Sequence, residues 1–151
     1  MTPDAWHPHV TVATVVEHNG RFLLVRELAD DIEVYNQPAG HLEPGETLLE
    51  AAVRETREET GWQVEPRHIL GLNHYTSPHN GITYLRTTFA ATPVSEIADA
   101  QLDEGILEAV WLSVEEIRAR SRQLRSPMVL DDIERFLRGD QFPLELIRQH
   151  R

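Results

Sequence analysis

GHLEPGETLLEAAVRETREETGW, residues Gly40 to Trp62, decides how the rest of the chain is read. It opens as a loop punctuated by Gly40, Pro44 and Gly45, continues as a run of helix formers from Leu48 to Thr60, and stops at Gly61. Glycine just past the last helical residue adopts positive φ without steric cost and so ends the helix. Inside the helix stand Glu55, Glu58 and Glu59. Positions i, i+3 and i+4 share one face, so the three carboxylates are stacked together. Like charges so placed destabilise a helix by about 0.2–0.5 kcal/mol per pair. Arg54 and Arg57 are adjacent in sequence and are expected at most to graze the acidic face. A hard divalent cation, Mg²⁺ or Mn²⁺, is the better match, because such ions take carboxylate, carbonyl and water oxygens. The alternative for the same residues is a solvated charged surface.

The chain around this stretch has 151 residues, enough for one domain with a single core, and the expected organisation is one domain over 1–151. It has no cysteine, which excludes disulfides, thiolate zinc sites and a cysteine nucleophile together. Twenty-five acids against 14 bases give a net charge of −11, which repels nucleic-acid backbones at long range. A small phosphorylated ligand remains compatible if a metal offsets the local field. All the bases are arginine, so neither a Schiff-base lysine nor a Walker-type lysine is available. No apolar run approaches the length of a membrane span, and MTPDAWHPHV has no basic region leading into an apolar one. A cytoplasmic protein, monomer or homodimer, is expected.

Toward the N-terminus, His9–Val16 is β-branched, Asn19-Gly20 signals a tight hairpin, and Arg21–Glu27 is the returning strand. Ala29–Glu33 reads as an acidic loop and Val34–Pro38 as the lead into Gly40. Beyond Gly61, His68–Tyr75 and Ile82–Ala91 read as strands about a turn at Ser77–Gly81, followed by a loop containing Pro93 and several acids. Leu107–Leu112 reads as a short strand. Ser113-Val114-Glu115-Glu116 is a capping box opening a helix through Arg120, and Ser126-Pro127 opens another that Gly139 ends. In the C-terminal stretch, Phe142, Leu144 and Ile147 are candidates to pack on the core. Strands, helix, strands, then helices imply an α+β chain, an α/β/α sandwich with a mixed sheet, rather than a doubly wound parallel sheet.

Written as a pattern, the central stretch is G-x5-E-x7-R-E-x2-E-E-x-G, carried by Gly40, Glu46, Arg54, Glu55, Glu58, Glu59 and Gly61. It resembles the signature of the Nudix hydrolases and matches every charged and glycine position of it. Thr56 and Trp62 stand where that family usually has aliphatic residues. Further stretches, His9–Ala13, Asn36–Glu43, Leu124–Pro127 and Pro143–Glu145, resemble those of a bacterial phosphatase of the family. The resemblance implies an α/β/α sandwich. It also implies a metal-dependent enzyme that releases phosphate from nucleoside tri- and diphosphates or from a thiamine-precursor pyrimidine pyrophosphate. By the same resemblance Glu55, Glu58 and Glu59 hold the ions, with the Gly40 carbonyl as an extra ligand. The resemblance further implies that Glu46 and Arg54 form a structural ion pair tying loop to helix.

Outside the motif, a further ligand or general base is expected from Asp103-Glu104 in the acidic loop, with Glu104 ahead of Asp103. Arg86, mid-strand among apolar residues, needs an anionic partner, either a substrate phosphate or an internal acid. Tyr75 is a candidate for stacking on a base, and Arg125 for contact with ligand. His74 and His79 read as surface residues. The competing enzymatic reading is a pyrophosphatase of nucleotide sugars, ADP-ribose or dinucleoside polyphosphates. A triphosphate separates the two: one yields orthophosphate, the other pyrophosphate and a monophosphate. A non-catalytic ligand sensor and a calcium module are weaker readings, because the motif glutamates are all present and no EF-hand pattern occurs.

Overall fold

The structure, a computed structural model, describes residues 5–150. The strands are β1 (His9–His18), β2 (Arg21–Ala29), β3 (Ile32–Asn36), β4 (Ala39–His41), β5 (Trp62–Thr76), β6 (Thr83–Glu96) and β7 (Ile106–Ser113). The helices are α1 (Leu48–Thr60), α2 (Val114–Ala119) and α3 (Pro127–Arg138), with one-turn 3-10 segments at Ser121–Gln123 and Leu144–Leu146. The strands run in the order β3-β2-β1-β6-β5, with β4 paired to β1 and β7 to β2. The β1–β6 pair is parallel and the other pairs are antiparallel. This is the mixed sheet between helices expected of the Nudix fold. Among the described residues no helix is long and apolar enough to cross a membrane.

Strand alternation sends side chains to both helical layers. Val15, Phe22, Leu24, Leu70 and Leu112 pack with Ile117 of α2 and Ile133 of α3. Val12, Ile69 and Phe89 pack with Ala51 and Ala52 of α1, and Leu144 and Ile147 cover this cluster. Phe142 instead stays half exposed and joins through its backbone, exchanging two hydrogen bonds with Ile69 at 2.8 and 2.9 Å. The small alanines on α1 let the helix approach β1 and β5 closely, which brings its acidic face to the edge of the sheet.

Several boundaries differ from the sequence reading. Ala29–Glu33 is not an acidic loop: Asp30 and Asp31, both at positive φ (51° and 63°), make a two-residue turn between β2 and β3. Aspartate tolerates that conformation, and the Asn19-Gly20 turn uses the same geometry. β5 starts at Trp62, directly after the helix stop, because register shifts between Pro66 and His68 absorb the missing N–H of the proline. β6 likewise runs through Pro93 to Glu96. The capping box at Ser113 and the Ser126-Pro127 helix start have the expected geometry. α1 has a capping box of its own, Thr47 with Glu50.

Candidate active site

The site begins where β4 meets α1. Thr47 caps the N-terminus of α1, and Gly61, at φ 76°, donates its N–H to the Arg57 carbonyl and ends it. Between the caps the helix holds Arg54, Glu55, Glu58 and Glu59 in fixed angular positions. β4 pairs with β1 at Val12↔Gly40, which lays the Gly40 backbone across the acidic face. A Cβ at Gly40 would fall on the carboxylate of Glu55, so only glycine fits there without moving that side chain.

Arg54 is the centre of the electrostatics and does more than graze the face. Nε and Nη2 donate to the two carboxylate oxygens of Glu46 at 2.8 and 2.6 Å, and Nη2 also donates to the His41 carbonyl at 3.0 Å. Nη1 donates to Glu55 at 2.8 Å and to Glu58 at 3.3 Å. These contacts use the full N–H complement of the guanidinium. The reason was present in the spacing: Arg54 and Glu58 are an i,i+4 pair, and the arginine stem is long enough to sweep over Glu55 as well. The Glu46 partnership holds the Arg54 guanidinium well above its ordinary pKa.

Glu58 and Asp103 are joined through the backbone, Asp103 N–H donating to the Glu58 carbonyl at 3.0 Å. This brings Asp103 to the helix, and Glu55, Glu58 and Asp103 each offer a carboxylate oxygen within 4.8 Å of the others. Glu104, favoured over Asp103 in the sequence, is exposed and outside this group. Asp103 takes the position because its N–H faces the end of α1. Arg54 is paired with four carboxylates, Glu43, Glu46, Glu55 and Glu58, and Asp103 adds a fifth negative charge beside Glu55 and Glu58. The excess negative charge and the all-oxygen donor set fit a hard divalent cation.

Glu59 behaves differently from its two neighbours. It is buried under β4, and its Oε1 accepts the Ala39 N–H at 2.9 Å. Burial, helped by the charges of Glu27, Glu55 and Asp103, pushes its pKa up to about 9. Glu55 and Asp103 shift the same way. For Glu55 the cause is burial opposed by Arg54; for Asp103 it is desolvation and then the Glu58 charge. As placed, Glu59 ties the glycine loop to α1 and stands apart from the three-carboxylate group.

The acidic face opens onto a cavity of about 410 Å³, whose wall includes Gly40, Glu55, Glu59, Tyr75, Arg86 and Arg125. A second groove shares Tyr75, Arg125, Ser126 and Met128 with it. Tyr75 is half buried, while His74 and His79 are exposed along the second groove. Arg86 has its anionic partner inside the protein. Nη2 donates to Gln37 Oε1 at 2.6 Å and to Asp132 Oδ2 at 3.2 Å, and both partners are fully buried. Asp132 also accepts from Thr88 at 2.7 Å and from Asn73 at 3.1 Å. The sequence reading passed over Asp132, although it falls on the apolar stripe Val129, Asp132, Ile133, Phe136 of α3. A carboxylate at such a position signals a buried partner. The departures at Thr56 and Trp62 are matched by their surroundings. The buried Thr56 hydroxyl bonds to Thr14 Oγ1 at 2.8 Å and to the Ala52 carbonyl at 2.7 Å, and Trp62 packs edge-on against Trp111 at 5.5 Å.

A mixed sheet between helices, with a glycine-hinged loop delivering an acidic helix to a cleft, defines the Nudix class of hydrolases. The NUDIX domain model matches residues 5–131, and the chain belongs to the Nudix hydrolase family. Phosphatase NudJ of Escherichia coli (strain K12) is 42% identical over 141 residues, covering 93% of this chain and 90% of that protein. Phosphatase NudJ of Shigella boydii serotype 4 (strain Sb227) is 41% identical over the same length. Among solved structures, a NUDIX hydrolase from Nitrosomonas europaea superposes with a TM-score of 0.93 at 43% identity, covering 95% of this chain and 98% of that one.

Proposed function

We propose that the protein is a divalent-metal-dependent phosphoanhydride hydrolase of phosphatase type, releasing orthophosphate from nucleoside tri- or diphosphates or from a thiamine-precursor pyrimidine pyrophosphate. The observation that carries this reading is the convergence of Glu55, Glu58 and Asp103 within 4.8 Å, with Glu55 itself in the wall of the cavity. The similarity to Phosphatase NudJ over 93% of the chain supports the phosphatase branch.

Glu55, Glu58 and Asp103 are the carboxylates that would hold Mg²⁺ or Mn²⁺, with the Gly40 carbonyl beside them. Such an ion supplies neutralisation of phosphate oxygens and a more acidic water. The protein's own groups prepare the site around it. Arg54 keeps Glu55 and Glu58 from splaying apart, and Glu46 keeps Arg54 in place. Glu59 anchors the Ala39–Gly40 backbone to the helix through the Ala39 N–H. Tyr75 and Arg125, at the junction of the two cavities, contact the substrate outside the acidic face. Arg86, already committed to Asp132 and Gln37, shapes the cavity floor.

The test is a panel of phosphoanhydrides with product identification, run with Mg²⁺, with Mn²⁺ and with chelator. A nucleoside triphosphate should give orthophosphate and the diphosphate, and chelator should abolish turnover. Pyrophosphate and a monophosphate as products would assign the protein to the pyrophosphatase branch instead.

A further inference from the structure

We infer that Glu27 is a positioning residue for substrate: its carboxylate holds the Arg125 guanidinium at the cavity mouth, so that the outer N–H groups of the arginine take an oxyanion of the phosphoanhydride. The inference rests on the hydrolase reading above and adds to it a residue that the family motif does not contain.

The cavity wall is short of cations for an anionic ligand. Among the described residues lining it, Glu27, Glu43, Glu55 and Glu59 are acids, and the arginines are Arg86 and Arg125. Arg86 is buried, and its Nη2 is spent on Gln37 and Asp132. Arg125 is different. Its side chain is 44% exposed, and Nη1 donates to Glu27 Oε1 at 2.7 Å. Nε and Nη2 have no partner among the described residues. Its backbone is fixed, because its N–H donates to the Tyr35 carbonyl at 2.8 Å and the next residue, Ser126, caps α3. Only the side chain is therefore free to wander, and a long, half-exposed arginine loses rotamer freedom when it binds a ligand. A partner that orders it beforehand reduces that loss.

Glu27 is built for this. Its side chain is 11% exposed, and it lies at a register shift of the β2–β7 pair, between Arg26 and Glu27. Bulges of this kind re-aim a side chain. Asn36 Nδ2 approaches the same oxygen at 3.5 Å. A carboxylate facing a cavity for anions opposes binding by its charge. It favours binding only through something it holds, and what it holds is Arg125.

Opposite effects on one residue make the test sharp. KM and kcat are measured for Mg²⁺-dependent hydrolysis of a nucleoside triphosphate by the wild type, Glu27→Ala, Arg125→Gln and the double variant. Calorimetric Kd for a β,γ-imido nucleoside triphosphate is measured on the same four proteins. Loss of a charge-assisted contact raises KM by about tenfold or more in Arg125→Gln, with kcat little changed. Glu27→Ala raises KM in the wild-type background, because the guanidinium is no longer held. In the Arg125→Gln background it lowers KM, because only its repulsion is left to remove. Glu27→Gln, which keeps an acceptor for Nη1, lies between wild type and Glu27→Ala. A Glu27→Ala change that lowers KM in both backgrounds, or raises it equally in both, overturns the inference. A wild type that binds the analogue but turns over no phosphoanhydride defeats the hydrolase reading instead, and the Kd values still report on the contact.

Discussion

Glu59→Gln in α1 should flatten the pH dependence of stability of the metal-free protein. The glutamate is buried, and its pKa lies at about 9 in the folded chain against 4.5 for the free side chain. An acid whose folded-state pKa is raised keeps its proton in the native state after the unfolded state has lost it. Its stabilising effect is therefore complete below about pH 4.5 and drains away as pH rises toward 9. Each unit is worth about 1.36 kcal/mol, so by pH 7 the cost reaches about 3 kcal/mol. For a chain of this size that corresponds to roughly 6–12 °C in Tm. Glutamine has no proton to lose, and its Oε1 still accepts the Ala39 N–H. Thermal unfolding of both proteins in chelator, from pH 5 to pH 8, gives the comparison. The two should nearly coincide at the acid end and separate steadily above it, with the variant more stable. Parallel curves, or a variant less stable at pH 8, would refute the assignment of a neutral, buried Glu59.

Gly40→Ala places a methyl group on the Glu55 carboxylate and should leave the fold intact. Turnover should fall by roughly a hundredfold, the scale of a 1 Å displacement at a reacting centre; an alanine enzyme of normal kcat and normal Mg²⁺ titration would contradict the close approach. Asp103→Asn should weaken the Mg²⁺ requirement curve by about a hundredfold, since lost outer-shell partners alone cost 10–100-fold. Glu104→Gln should leave that curve where it is, and the reverse ranking would restore the preference read from the sequence. Asp132→Ala strips the anion from a buried pair, at a cost of about 3–5 kcal/mol, which denaturant unfolding would show. Asp132→Asn, which keeps acceptors for Thr88 and Asn73, should cost less, and equal losses in the two variants would mean that the charge of Asp132 is unimportant.

The acidic helix, its glycine stop and the Ser113 and Ser126 caps were legible because each rests on residues at most four positions apart. The 3.6-residue period places Glu55, Glu58 and Glu59 together whatever surrounds them. The same rule would have shown Arg54 facing Glu58, had the arginine been counted into the pattern. The strand limits at Pro66 and Pro93 were not legible, because a bulge or an edge position decides whether a proline is tolerated, and both depend on the partner strand.

Spacing along the chain, then, specified the helix, its charge and the loop that meets it, since backbone geometry over one turn needs no tertiary partner. Which carboxylates converge was a matter of docking. Asp103 joins Glu55 and Glu58 because its N–H reaches the Glu58 carbonyl across 45 residues, while Glu59 turns under Ala39 and is buried there. The pairings of Arg86 with Asp132 and of Glu27 with Arg125 join segments 46 and 98 residues apart. Contacts of that range exist only once the sheet has set the distance between its two helical layers.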